Sequence, residues 1–134
     1  MGREGISEQD IVDAAKVTGL DEFLGKVPGG YEMVLQDKGN GLSGGQRQAI
    51  AITRALVHKP THYIFDEPTS AMDMNSEQYF IRNFKEIYQD TTLIVVSHRM
   101  PLVNLVDRIV VMDDGKIIDD GPREEIIKKL QGES

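Results

Sequence analysis

The 134-residue sequence contains no cysteine, which excludes a disulfide framework and a thiolate metal site. It also lacks any apolar run that approaches the roughly 20 residues of a membrane-spanning helix. The N-terminal MGREGISEQD has neither the basic start nor the apolar run of a secretory signal peptide. These absences favour a reducing compartment, and any contact with a membrane would be made by another segment.

Basic residues are in deficit, because 15 Lys and Arg stand against 22 Asp and Glu, for a formal net charge of -7. A broad nucleic-acid surface needs clustered cations to displace counterions from phosphates, so this balance argues against nucleic acid as a partner. Apolar residues make up 40% of the chain. That content is enough for the packed core of one ordinary domain.

The first part of the chain has the pattern of a helical subdomain, which we place at residues 1–58. Helices are predicted over 7–19 and 43–57, each capped by the serine at its start, with one further helical turn at 21–24. Residues 32–41 predict an irregular connector with a short extended piece.

The remainder, residues 59–134, has the pattern of an α/β core. Short continuous apolar runs predict strands buried on both faces, and a helical pattern between the first two runs predicts a crossover connection. Asp114-Gly115 predicts a hairpin turn, and Pro122 opens a last helix. The apolar runs lie at 63–65, 93–96 and 109–112, and the intervening helix at 75–89.

The stretch GLSGGQRQAIAITRAL places Gly44 and Gly45 at the start of an amphipathic helix. A glycine inside a helix costs roughly 0.8–1.0 kcal/mol relative to alanine. A helix start presents unpaired N–H groups and a partial positive charge, and glycines let an anion come close to them. The pair therefore predicts a phosphate site, with a plain glycine-rich turn behind a serine cap as the alternative.

Polar side chains follow two of the predicted strands. Asp66 and Glu67 stand at the carboxyl end of the first, where an aspartate can hold Mg²⁺ through water and a glutamate can orient or deprotonate an attacking water. His98 follows the second strand and lies on the same edge if the two strands are parallel neighbours. Solvated carboxylates and a structural histidine are the alternatives.

The segments LSGGQRQ, IFDEPTSAMD and VSHR, followed by DRIVVMDDGKIIDDGP, resemble the C-terminal part of the nucleotide-binding domain of an ATP-binding cassette (ABC) transporter over nearly the whole chain. The resemblance implies that Asp66 is the Walker B carboxylate on the magnesium side, Glu67 the catalytic base and His98 the switch histidine. It implies a signature motif formed by Leu42, Ser43, Gly44, Gly45 and Gln46, and a D-loop formed by Ser70, Ala71, Met72 and Asp73.

In this family two such domains sandwich two ATP molecules head to tail, and the signature motif contacts the γ-phosphate held by the other domain. The implied fold is an incomplete P-loop NTPase-like domain of ABC type: a helical subdomain, then a mostly parallel β-sheet with flanking helices and a C-terminal hairpin and helix. The implied cofactors are ATP and Mg²⁺. The implied partners are a second nucleotide-binding domain and the membrane-spanning domain of an exporter, at the cytoplasmic face of a bacterial inner membrane.

The sequence departs from the family pattern in what it lacks. No GxxxxGK[ST] phosphate loop occurs in it, and neither an adenine-stacking aromatic residue nor a clear Q-loop precedes the signature. Met72 replaces the usual leucine, and Ala49 stands where many relatives have a basic residue. We therefore expect a fragment of a longer protein that does not hydrolyse ATP alone and that self-associates through an unpaired sheet edge.

GYEMVLQDKGNG and SAMD are most similar to exporters with fused membrane domains, especially bacterial type I secretion and peptide exporters. A soluble ABC ATPase of chromosome maintenance, DNA repair or translation is the alternative, because it shares the same motifs. A catalytically inactive scaffold is a third interpretation, which the retention of Ser43, Glu67 and His98 disfavours.

Overall fold

The computed structural model describes residues 5–30, 32–35 and 41–132, and the chain forms two compact units, Met1–Ser97 and His98–Ser134. None of the described helices is both long enough and apolar enough to cross a membrane. The elements of the first unit are α1 (Glu8–Thr18), α2 (Asp21–Lys26), α3 (Glu32–Leu35), α4 (Gly44–Val57), β1 (His62–Asp66), α5 (Met74–Ile87) and β2 (Thr92–Val96). Those of the second are a 3₁₀ helix (Met100–Leu105), β3 (Arg108–Asp113), β4 (Lys116–Pro122) and α6 (Arg123–Leu130).

The helices of the first unit begin where the sequence predicts. Ser7 caps α1 in a capping box, accepting from the backbone N–H of Asp10 at 3.1 Å, and Gly19 ends the helix in the left-handed conformation. The buried face of α1 packs on α4, and a hydroxyl–hydroxyl hydrogen bond of 2.9 Å joins Thr18 to Thr53. The predicted helices over 7–19 and 43–57 and the turn at 21–24 are confirmed.

The connector before the signature segment differs from its prediction. Glu32–Leu35 forms one helical turn, α3, instead of an extended piece. Val34 is fully buried, and Nε of Arg54 on α4 donates to its carbonyl oxygen at 2.7 Å. This bond satisfies an acceptor that so short a helix leaves open, and it ties α3 to α4. Residues 36–40 of the connector lie outside the described residues.

A parallel strand pair forms the sheet of the first unit. β1 pairs with β2 in a register that sets Tyr63 beside Leu93 and Asp66 beside Val96, with α5 as the crossover between them. Aromatic rings from β1, from α5 and from the residue directly after α5 pack between sheet and helix, and the centroids of contacting rings are 4.9–6.4 Å apart. These rings belong to Tyr63, Phe65, Phe80, Phe84 and Tyr88.

The prediction that these strands are buried on both faces is wrong for the described residues. Ile64 is 73% exposed, Ile94 53% and Val96 56%, and the exposed positions alternate along both strands. The aromatic residues of α5 cover one face, and nothing in the described part of the first unit buries these three side chains. The continuous apolar runs therefore leave one apolar face in solvent.

In the second unit β3 and β4 form the predicted antiparallel hairpin. Asp114 and Gly115 both have positive φ, of 47° and 73°, as a two-residue hairpin turn requires. α6 packs on this hairpin through the buried Ile126, and Arg108 forms a bidentate pair with Asp120 at 2.6 and 2.7 Å. The described chain is thus mixed α/β, with one parallel and one antiparallel strand pair.

The buried hydroxyl of Tyr63 gives a testable consequence of the core. It has no hydrogen-bond partner within the described ranges, and burial, with a smaller contribution from Tyr88, raises the pKa of Tyr63 from 10.0 to about 12. We expect Tyr63→Phe to raise the free energy of unfolding in urea at neutral pH by roughly 1 kcal/mol, because an unsatisfied buried group is removed.

The same raised pKa sets a pH dependence. The folded state favours the neutral phenol, because the pKa of Tyr63 is higher there than in the unfolded chain. The ionisation of Tyr63 therefore leaves the free energy of unfolding unchanged below pH 10.0 and lowers it as the pH rises towards about 12. Tyr63→Phe should make that alkaline loss shallower. Tyr79→Phe, on the exposed side of α5, is the control and should change stability by less than about 0.5 kcal/mol. A destabilised Tyr63→Phe would contradict the prediction.

Candidate functional site

The start of α4 is a closed capping box. Oγ of Ser43 accepts from the backbone N–H of Gln46 at 3.1 Å, and Oε1 of Gln46 accepts from the backbone N–H of Ser43 at 3.0 Å. The two polar side chains of the signature motif, Ser43 and Gln46, are therefore engaged with the helix start itself. Leu42 precedes the box and is half-buried. The box fixes the first turn and leaves Gly44 and Gly45 as its first two helical residues.

The two glycines lie against the loop that follows β1. A β-carbon on Gly45 would come within 3.0 Å of the carbonyl oxygen of Ala71, and one on Gly44 within 3.3 Å of the Ala71 β-carbon. Glycine at both positions thus allows close packing inside the chain, and the approach is tighter at Gly45. The sequence assigned that clearance to an approaching anion, and the structure adds a contact that the glycines make with the chain's own loop.

Asp66 and Glu67 leave β1 in different environments. Asp66 is exposed on the same face as Ile64, beside Val96 of the neighbouring strand. Glu67 is half-buried and has a φ of 47°, a left-handed conformation that is unfavourable for a residue with a β-carbon. The two adjacent carboxylates at this strand end therefore lie in different environments.

Two hydrogen bonds fix Glu67 to the end of β2. Its backbone N–H donates to the carbonyl oxygen of Val96 at 2.8 Å, and Oγ of Ser97 donates to its Oε2 at 2.9 Å. Ser97 belongs to the sequence motif VSHR, but the sequence alone indicates no role for it. The strand register was the missing signal, because once Asp66 lies beside Val96 the next residues, Glu67 and Ser97, must be neighbours.

Gln48 is a second residue that the sequence did not single out. Its Nε2 donates to the carbonyl oxygen of Glu67 at 3.2 Å and to Oγ of Ser70 at 2.7 Å. Its Oε1 accepts from the backbone N–H of Ala71 at 2.7 Å. Nothing in the helical pattern distinguishes this position from other polar residues of α4, so only the fold reveals the contact.

The far end of the loop is fixed to α5. Asp73 caps α5 by accepting from the backbone N–H of Ser76 at 2.7 Å, and this hydrogen bond holds the pKa of Asp73 below its ordinary value. Oγ1 of Thr69 donates to Oε2 of Glu77 at 2.5 Å, and both side chains are buried. The loop between Glu67 and Asp73 is therefore held at both ends and in its middle.

His98 is the first residue of the second unit and is exposed. Its action together with Glu67 stays a sequence-based prediction. The described residues contain no group of three or more His, Asp or Glu side chains arranged to hold a metal ion alone. A single exposed carboxylate at Asp66 fits Mg²⁺, which is commonly bound by one or two carboxylates together with water and substrate phosphates.

Comparisons with known proteins place the motifs in a family. The model of the ABC transporter family matches residues 4–70. The leukotoxin export ATP-binding protein of Aggregatibacter actinomycetemcomitans is 44% identical over 128 residues, which is 96% of this chain and 18% of that protein. The alpha-hemolysin translocation ATP-binding protein of Escherichia coli is 42% identical over 129 residues, again 96% and 18%.

A solved structure of a bacterial Atm1-family ABC exporter with ATP bound matches with a TM-score of 0.82 and 32% identity. The match covers 96% of this chain and 23% of that one. The chain thus spans about a fifth of the length of the relatives that it matches.

The packing of the glycines on the loop generates a prediction. Gly45→Ala should lower the free energy of unfolding by roughly 1–3 kcal/mol, because its β-carbon meets a backbone oxygen that cannot rotate away. This loss should exceed the gain of about 1 kcal/mol in helix propensity. Gly44→Ala should cost less. Both are measured by urea unfolding.

Ala71→Gly supplies the control, because it removes the β-carbon that Gly44→Ala would touch but keeps the carbonyl oxygen that Gly45→Ala would touch. In double variants it should relieve the first substitution and leave the second unrelieved. Equal relief of both would show that the contacts at 44 and 45 are not the distinct ones described.

Proposed function

Because the chain belongs to the ABC transporter family, we propose that it supplies the signature, Walker B and D-loop part of a nucleotide-binding domain that hydrolyses ATP to drive export across a membrane. The observation that carries the proposal is the way Glu67 is held. Its backbone and its carboxylate are both fixed to the end of β2, at the strand edge where ligands bind in α/β sheets.

Glu67 acts in this proposal as the general base that takes a proton from the attacking water. A carboxylate serves this role when its position is fixed before the reaction, and the bond from Ser97 supplies such a restraint. Asp66, on the other face, holds Mg²⁺, which when bound neutralises charge on the phosphates of ATP. His98 assists by contacting the γ-phosphate or positioning the water.

The amino end of α4 contributes to a second ATP. Ser43 to Gln46, with Leu42, contact the γ-phosphate of ATP that a partner nucleotide-binding domain holds in a head-to-tail dimer, and Asp73 belongs to the same interface. The partial positive charge of a 14-residue helix favours an anion at this end. GxxxxGK[ST] does not occur in the 134 residues, so this chain supplies half of each site.

The relatives are named for leukotoxin export and alpha-hemolysin translocation. These names favour an exporter over the soluble ABC ATPases of chromosome maintenance, DNA repair or translation. We propose that the protein works at the cytoplasmic face of a bacterial inner membrane, with a membrane-spanning domain and a second nucleotide-binding domain as partners. Nucleic acid is not among the proposed partners, in keeping with the net charge of -7.

Glu67→Gln in the full-length protein that carries this chain tests the proposed base. We expect ATP turnover to fall by about 10²–10⁴-fold, because the amide cannot accept the proton. ATP binding should persist, so that an ATP-bound dimer accumulates and is visible by size-exclusion chromatography. The 134-residue chain alone should show no ATPase activity above that of its own Glu67→Gln variant.

Glu86→Gln is the matched control, since Glu86 is exposed on α5 and outside the proposed site. Its turnover should equal that of the unmodified protein. Full turnover by Glu67→Gln would remove the general base from the proposal, and absence of turnover in the unmodified full-length protein would favour an inactive scaffold.

The apolar face formed by Ile64, Ile94 and Val96 supports self-association of the isolated chain. We expect analytical ultracentrifugation to show species larger than the monomer, and Ile94→Lys to shift the distribution towards monomer because it charges this face. Leu130→Lys, which charges an exposed apolar residue of α6, is the control and should leave the distribution unchanged. A purely monomeric unmodified chain would refute the expectation.

A further inference from the structure

Gln48 uses its side-chain amide almost completely on the loop that follows β1. A glutamine amide has two N–H donors and one carbonyl oxygen. Here the nitrogen donates to the carbonyl oxygen of Glu67 and to Oγ of Ser70, and the oxygen accepts from the backbone N–H of Ala71. One side chain of α4 thus binds three successive parts of the loop.

These bonds act where the loop is under strain. Glu67 has a φ of 47°, a strained conformation that persists in a residue with a β-carbon only where the surrounding structure holds it. Its N–H and its carboxylate are held from β2, whereas its carbonyl oxygen is held from α4 by Gln48. Gln48 is therefore a link from the strained residue to α4, the helix that carries the signature motif.

A second contact lies one helical turn before Gln48. Gly45 stands three residues earlier on α4, and the close approach between Gly45 and the carbonyl oxygen of Ala71 brings the helix start against the same loop. Both contacts are made to the backbone of one residue, Ala71. Gln48 accepts from its N–H, and Gly45 lies against its carbonyl oxygen. Together they leave the loop little freedom to shift along the helix.

We propose that Gln48 is a positioning residue that locks the loop from Glu67 to Met72 onto the amino-terminal part of α4. Its effect is that the candidate base Glu67 and the glycines of the signature segment keep one relative position. The geometric part concerns this chain alone, whereas the effect on turnover rests on the proposed function.

Hydrogen exchange tests the geometric part. Gln48→Met keeps the length of the side chain but removes all three polar contacts, so the amide of Ala71 should exchange roughly ten-fold faster by NMR. Gln48→Glu keeps an acceptor for that amide but loses the donors to Glu67 and Ser70. It should preserve more of the Ala71 protection than Gln48→Met does.

Gln9→Met is the matched control, because Gln9 donates across an exposed turn of α1, to Oδ1 of Asp13 at 2.8 Å. It should leave the exchange of Ala71 unchanged, and in all variants the amides of α1 should exchange as in the unmodified chain. Unchanged exchange of Ala71 in Gln48→Met would overturn the inference. A uniform acceleration over all amides would overturn it too, because it would show general destabilisation in place of local positioning.

Kinetics of the full-length protein test the effect on turnover. Gln48 does not belong to the proposed ATP-contacting set, so Gln48→Met should lower kcat roughly ten-fold or more and change KM for ATP less than about two-fold. Gln9→Met should change neither. A kcat equal to that of the unmodified protein would overturn the positioning role and leave the proposed function intact. If the unmodified full-length protein hydrolyses no ATP, the proposed function fails, and the exchange of Ala71 still decides the geometric inference.

Discussion

The left-handed conformation of Glu67 at the end of β1 depends on contacts from several elements of the first unit. Glu67 has a φ of 47°, a conformation that is sterically strained for a residue with a β-carbon. It persists because its N–H is held by Val96, its carboxylate by Ser97 and its carbonyl oxygen by Gln48. These restraints come from β2 and α4, so strand pairing and helix packing meet at one peptide.

Asp66 and Glu67 have different surroundings at the end of β1. Along β1 the side chains alternate, and Asp66 lies on the exposed face with Ile64. Glu67, the next residue, is half-buried, and its carboxylate accepts from Oγ of Ser97. Two carboxylates that are adjacent in sequence therefore do not share an environment.

The sequence predicted the helices well because their ends carry local chemical signals. Ser7, Ser43 and Gly19 act within one turn of the chain, and the structure confirms each of them. The burial of the strands was predicted less well. An apolar run such as that around Ile94 shows that a strand can be buried, but it does not show which element would cover it. Gln48 was missed for a related reason, since its partners lie 19 to 23 residues away and depend on the packing of α4.

The size of residue 71 is constrained by its packing, although the residue is exposed. Ala71 is exposed, yet its methyl group faces Gly44 and its carbonyl oxygen faces Gly45. Positions 44 and 71 should therefore covary in size, because a larger side chain at either has to be matched by a small one at the other. Position 45 should show no such exchange, because a backbone oxygen is present whatever residue occupies 71.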